Sequence, residues 1–266
     1  FWRRAQTVIQ SEAPTARPQL RQIDSWVLSR LQSLVAYVTD AMERAETRRA
    51  SQAAFYEFEE TMRWYRQRTD PTSPVALWMR RHVLSVRLRL LAPFIPYMAN
   101  ELHEQLTGEA AQAAGWPQVH PEADDPETET AEAQLRAVIA DIEDIRRSLA
   151  NADEAVPEAD PDRITIEVAA GWKYTVYETV LAVDADQGAA MAQLMTDPEM
   201  RERGGAINTL VGELITQVRE RAPERAAALA TVDELGVYTD AAGFLADRFD
   251  AEIEVVREEG ADDVRP

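Results

Sequence analysis

Apolar residues recur along the first half of the chain at the three- and four-residue spacing that lines up side chains on one face of an α-helix. Trp26, Leu28, Leu31, Leu34, Val35 and Val38 form one such stripe behind Asp24, a residue type that caps helix starts, and predict a first long helix over residues 24–46. Ala50, Ala54, Phe58, Met62 and Tyr65 predict a second, with Ala53, Phe55 and Trp64 widening its buried face, and the run Asp70-Pro71-Thr72-Ser73-Pro74 ends it. A third helix is expected over 75–91, stopped by Pro93, and a fourth over 95–106 with Pro96 tolerated in its first turn. Residues 108–126 hold Gly115 and three prolines and read as loop. Leu135, Val138, Ile139, Ile142, Ile145 and Leu149 then mark a fifth helix over 130–149. Five helices with short connections predict an antiparallel helical bundle.

The flanks of this region read differently. Residues 1–22 are polar and contain Pro14 and Pro18, as expected of a linker or the truncated start of a longer chain. Residues 151–162 are acidic and proline-containing and mark an expected domain boundary. Beyond it the period changes to two: Ile164, Ile166 and Val168 alternate with Thr165 and Glu167, a strand signal. Trp172 to Val183 fits a helix by spacing and a strand by propensity; helix is the reading adopted. Helical patterns follow over 187–195, 207–221 and 241–249, and Ile253, Val255 and Val256 form a closing strand. The expected architecture is thus mainly α, a bundle over 23–150 followed by a small α/β domain over 163–266.

Composition narrows what such a chain can do. The 266 residues contain no cysteine, which excludes disulfides, thiol nucleophiles and thiolate metal sites. The longest apolar region, 83–99, is interrupted by Arg87, Arg89 and two prolines and cannot span a bilayer, so no membrane partner is expected. Without a signal-type apolar segment behind Phe-Trp-Arg-Arg, the expected compartment is the cytoplasm, and the start reads as an internal cut. The formal net charge is -19, and Lys173 is the only lysine among 28 basic residues. A carboxylate-rich surface almost free of lysine suits a protein kept soluble in concentrated salt; arginine-biased codons would leave the same composition. The charge is unevenly spread: residues 1–92 carry 15 arginines against 9 carboxylates, a net of +6, and the remainder of the chain is correspondingly acidic.

Catalytic signatures are missing. No glycine-rich phosphate loop or GxSxG elbow occurs, and His82, His103 and His120 lie too far apart to suggest a metal site. Carboxylates at helical spacing, such as Asp141 with Asp144, are the solvated face expected of so acidic a chain. The positive signal is the basic, aromatic stretch: Arg48, Arg49 and Gln52 open the second helix, Arg63, Trp64, Tyr65, Arg66 and Arg68 close it, and Arg80, Arg81, Arg87 and Arg89 follow on the third. Guanidinium groups pair bidentately with phosphate, and Trp or Tyr can stack on unpaired bases. Any one of these residues is better explained by packing and ion pairing along the bundle; the basic block as a whole points to nucleic acid.

Several runs also resemble a known family. Residues 24–31 (Asp-Ser-Trp-Val-Leu-Ser-Arg-Leu), the run Arg48-Arg49-Ala50-Ser51-Gln52 leading to Arg63-Trp64-Tyr65-Arg66-Gln67-Arg68, Leu90-Leu91-Ala92-Pro93-Phe94, and Trp116-Pro117 are similar to the anticodon-binding helical domain of class I aminoacyl-tRNA synthetases. The arginine-rich runs and the α/β domain behind the bundle resemble the leucine-specific family of archaeal and eukaryotic cytosolic type. The resemblance implies the tRNA-binding C-terminal portion of a leucine–tRNA ligase, whose complete form would join leucine to tRNA with ATP. The HIGH and KMSKS signatures of that family are not in these residues, so ATP and Mg are expected on a catalytic part outside them, and no cofactor is expected here. The implied partners are a leucine tRNA with its long variable arm and the catalytic part of the same enzyme. Within 163–266 the implied RNA-facing residues are Arg201, Arg203 and Arg219, with Arg221, Arg225 and the Gly204-Gly205 pair nearby; for the pair a plain turn between helices is the reading preferred over a phosphate contact. A corresponding piece of an isoleucine or valine enzyme, or a stand-alone helical interaction module, remains the alternative.

Overall fold

The computed structural model describes residues 1–120, 125–150, 162–220 and 223–258, the side chains of residues 224 and 225 excepted. Contacts divide the chain into two compact units, the first ending at Thr128. The first unit is helical throughout: α1 (Trp2–Ile9), α2 (Gln22–Glu43), α3 (Thr47–Gln52), α4 (Phe58–Arg68), α5 (Pro74–Leu91) and α6 (Pro96–Thr107). Between α3 and α4 the chain does not break but widens into one π-helical turn, Ala53–Glu57, so 47–68 is a single rod with a bulge. The predicted stripes meet in one core: Trp26, Leu31 and Val38 of α2, Ala54, Phe58 and Tyr65 of the bulged rod, and Met79, Val83 and Leu90 of α5. A second cluster joins Ala5 of α1 to Leu84 and Leu88 of α5 and Leu102 of α6.

Two expectations change here. The start of the chain is not only linker, because Trp2, Ala5, Val8 and Ile9 repeat at helical spacing and α1 buries Ala5 against α5 and α6. Asp24 is not the N-cap of α2. Arg21 occupies that position, and the Asp24 carboxylate, one turn in, accepts the Arg21 backbone N–H at 2.9 Å. This carboxylate is fully buried, and Tyr65 donates its phenol to it at 2.6 Å while the Arg21 side chain donates at 3.1 Å. A buried carboxylate is tolerated only with such a set of donors, and here they tie the start of α2 to α4.

The second unit holds α7 (Pro126–Ala150, whose first residues precede the division), β1 (Arg163–Val168), α8 (Gly171–Ala182), α9 (Gln187–Leu194), α10 (Pro198–Glu202), α11 (Gly204–Glu220), α12 (Pro223–Thr231), α13 (Glu234–Phe249) and β2 (Glu252–Arg257). The two strands pair in parallel, Ile166 opposite Val255. Val176, Val180, Leu194, Ile207 and Val211 form the core of its helices. The helix predicted over 130–149 is α7; its Arg146 donates to the Phe249 carbonyl and its Glu143 pairs with Arg248, both partners on α13. The expected boundary at 151–162 falls almost wholly outside the described residues. Gly204-Gly205 is the first turn of α11, not a turn between helices; α10 was not expected because five residues are too short to show a period, and α12 because its nearly unbroken run of alanines around Leu229 marks no single apolar face.

The Tyr65 bond to Asp24 is a testable element of this fold. Burial, then the bond to the Asp24 carboxylate, raises the phenol well above its ordinary range. A raised value means the folded state holds the proton more tightly, so the stabilisation is complete below pH about 10 and is lost as the pH climbs past it. Tyr65→Phe is expected to lower stability by about 2 kcal/mol at pH 8 in urea unfolding, and the gap between parent and variant should narrow above pH about 10.

Candidate nucleic-acid interface

The π-helical turn organises the basic surface. A wider turn loosens the backbone ladder and lets carbonyls face sideways, where they need donors. Arg87 of α5, buried among the helices, supplies them: its Nε donates to the Ala54 carbonyl and its Nη2 to the Phe55 carbonyl, both at 3.0 Å. Its remaining nitrogen, Nη1, meets Glu59 at 2.6 Å. A planar guanidinium satisfies three acceptors in one plane, which no other side chain can do.

Glu59 gathers further arginines. Arg4 of α1 pairs with it at 2.9 Å and Arg66 of α4 approaches to 4.0 Å. Burial pushes the Glu59 carboxyl up, but the bond from Arg87 and the charges of Arg87, Arg66 and Arg4 outweigh it and hold the carboxyl below its usual range. Partial burial lowers the Arg66 guanidinium; Glu59 acts the other way, and the like charges of Arg4, Arg63 and Arg80 lower it again. Arg4, Arg63 and Arg80 are thus close enough for their charges to act on Arg66, and an anion from outside would relieve that repulsion. Between α1, the π-helical turn and α5 lies a cleft of about 390 Å³ lined by Arg4, Phe55, Tyr56, Glu59, Arg66 and Arg80, among others.

The predicted residues separate by location. Arg63 and Arg66 are exposed near this cleft, and Arg80 lines it while donating to the Pro71 and Ala76 carbonyls. Trp64 packs against the core with Arg68 over its ring at 6.0 Å, and Tyr65 is wholly buried. Arg48, Arg49 and Gln52 are exposed on α3, where Arg49 bonds Tyr37 and Glu46. Arg81 has a structural task, closing the C-terminal carbonyls of two helices, Ile9 at 3.1 Å and Leu106 at 2.8 Å. Sequence reasoning missed Arg4, Phe55, Tyr56 and Glu59 as site residues. The signal was Tyr56, an aromatic off the apolar stripe of its helix and 68% exposed.

In the second unit Arg201 is exposed, Arg203 lies 5.7 Å from the Trp172 ring, and Arg219 donates to the Ala185 carbonyl at 3.0 Å. Arg221 and the Arg225 side chain lie outside the described residues. Among the described residues, no group of three or more His, Asp or Glu could hold a metal ion, and no helix is long and apolar enough to cross a membrane.

A helical unit with arginines around a cleft and an exposed aromatic has the chemistry of an RNA-binding domain, and comparison with known proteins agrees. Residues 24–161 match the family model described as the anticodon-binding domain of tRNA ligase, and the chain belongs to that family. Its similarity to particular relatives extends further along the chain. It is 34% identical to the leucine–tRNA ligase of Pyrococcus abyssi over 91% of this chain and 24% of that protein. It is 30% identical to the leucine–tRNA ligase of Methanothrix thermoacetophila over 96% of this chain and 25% of that protein, and 33% identical to that of Aeropyrum pernix over 92% and 24%. The chain therefore spans about a quarter of the length of the curated relatives it matches.

Removing the guanidinium under the π-helical turn should be costly. Arg87→Met is expected to lower stability by about 3 kcal/mol, since two carbonyls and one oxygen of Glu59 lose their donor together, and chemical denaturation reads this directly. Arg87→Lys should recover only part of the loss, because an ammonium does not present the planar fork.

Proposed function

We propose that this chain is the tRNA-binding C-terminal portion of a leucine–tRNA ligase. The observation that carries the reading is the cleft lined by Arg4, Arg66, Arg80 and Arg87 with Glu59 as its one lining carboxylate, in a chain of the anticodon-binding family whose similarity to leucine–tRNA ligases runs nearly end to end. In this reading the arginines take phosphates of the tRNA, and the residues over 23–150 and 163–266 act as a bundle and a second tRNA-contacting domain. Activation of leucine with ATP and Mg belongs to the catalytic part of the same enzyme. The work would be cytoplasmic, and the lysine-poor, acidic composition fits a cell with concentrated internal salt.

None of the described side chains needs to react. Binding and orientation of the tRNA suffice, because holding the acceptor end in place converts an encounter into an intramolecular step on the complete enzyme. Arginine suits this surface, since direct bidentate contact with phosphate survives screening that removes long-range attraction.

The double variant Arg63→Ala, Arg66→Ala should weaken binding of a leucine tRNA transcript and reduce the slope of log affinity against log salt by about 1.5, the release expected for two phosphate contacts. Unchanged affinity and slope would sink the assignment. For the second unit, Arg201→Ala with Arg203→Ala should reduce the preference for a transcript with a long variable arm over the same transcript with the arm shortened. Equal loss on both transcripts would show that these residues do not contact the arm.

A further inference from the structure

The cleft beside the π-helical turn has a feature that phosphate binding alone does not use. Tyr56 stands on that turn with 68% of its surface exposed, although an aromatic ring in water is unfavourable and the neighbouring Phe55 is packed against the core. The ring is not loosely held. Phe55 lies 4.9 Å from it, ring centre to ring centre, and Phe1 lies 5.1 Å from Phe55, both pairs tilted, so Tyr56 is the exposed member of a small aromatic group. The backbone that carries Tyr56 is fixed by the two bonds from Arg87 to the carbonyls just before it, Ala54 and Phe55. A ring pre-set in this way loses little freedom when something stacks on it.

Arg66 and Arg80 line the same cleft of about 390 Å³, with Glu59 the one carboxylate among the lining residues. A flat aromatic face beside guanidinium groups is the pairing of chemistries that receives a nucleotide, base on the ring and phosphate on the arginine. A base inside a duplex has both faces covered by its neighbours and cannot use the ring, whereas an unpaired base can.

We propose that Tyr56 is a stacking platform for one unpaired nucleobase of the bound RNA, with the adjoining phosphate held by Arg66 and Arg80. This deepens the tRNA-binding reading and rests on it for the identity of the RNA, but the subsite has its own chemistry and can be tested apart. The probes are a fluorescein-labelled single-stranded uridine hexamer, a twelve-base-pair RNA duplex and a leucine tRNA transcript, each titrated into the parent chain, Tyr56→Ala and Tyr56→Phe at one fixed salt concentration.

Tyr56→Ala should raise the Kd for the hexamer about tenfold, within the range measured when a stacking aromatic is removed, while Tyr56→Phe stays within about twofold of the parent. The duplex should bind all three chains alike. Because the side chain is exposed, thermal unfolding should be the same in all three. Equal hexamer binding by parent and Tyr56→Ala overturns the platform, as does a parent chain that binds no hexamer, or a duplex that loses as much as the hexamer. The transcript separates the two ideas. If Tyr56 matters for the hexamer and the parent ignores the transcript, the platform stands and the tRNA reading falls. If the transcript binds tightly and Tyr56→Ala changes neither probe, the platform falls and the tRNA reading stands.

Discussion

The surface of the first unit depends on one buried guanidinium. Arg87 sits where α5 passes the π-helical turn and donates to Ala54, Phe55 and Glu59 at once. Each acceptor has a different consequence. The two carbonyl bonds stabilise a turn that an α-helix would otherwise close up, and that turn changes which residues of the rod face outward. The bond to Glu59 anchors the carboxylate around which Arg4 and Arg66 collect. A neutral side chain of equal size would leave two carbonyls and a carboxylate short of donors in a partly buried place.

The same geometry explains why the cleft is basic even though it contains a carboxylate. Glu59 faces three arginines, and the nearest of them, Arg87, is already committed to backbone carbonyls. Arg63 and Arg80 add like charge without adding a carboxylate to the cleft. Arginine does not give up its proton to relieve such crowding, unlike a lysine in the same position. The repulsion therefore persists in the free protein and favours any anion of suitable shape. Glu59 restricts where such an anion can sit, because phosphate oxygens placed against it would be repelled.

The long helices were legible because their stripes are long: α2, α5 and α6 and both strands follow directly from spacing and from the prolines that bound them. The family, too, was readable in runs such as Leu90-Leu91-Ala92-Pro93-Phe94, and the match over 24–161 bears it out. Three features were hidden for physical reasons. A π-helical turn uses the same residue types as the helix around it, so Ala53–Glu57 carries no mark in composition. Arginines on one helix look alike in sequence, yet Arg81 closes the ends of two helices and Arg87 is buried under the π-helical turn, while Arg80 stays half-buried at the cleft, a difference set by tertiary packing. Asp24 reads as an N-cap by type, and only the position of Tyr65, forty-one residues away, makes it a buried acceptor instead.

A net charge of -19 and a polyanionic partner are compatible once range is considered. Repulsion between the acidic remainder of the chain and RNA acts through solvent and decays over the Debye length, about 8 Å at physiological ionic strength and about 3 Å at 1 M salt. A guanidinium in contact with a phosphate oxygen, or a base on an aromatic ring, acts inside that distance and loses much less to screening. Raising salt therefore weakens two opposed terms together, counterion release at the arginines and repulsion from the carboxylates. A chain with a basic first 92 residues and an acidic remainder can thus keep a usable affinity for RNA over a wider span of salt than a uniformly basic one. The use of arginine in place of lysine almost throughout serves the same end, because at equal charge its planar fork adds bidentate contact that screening spares.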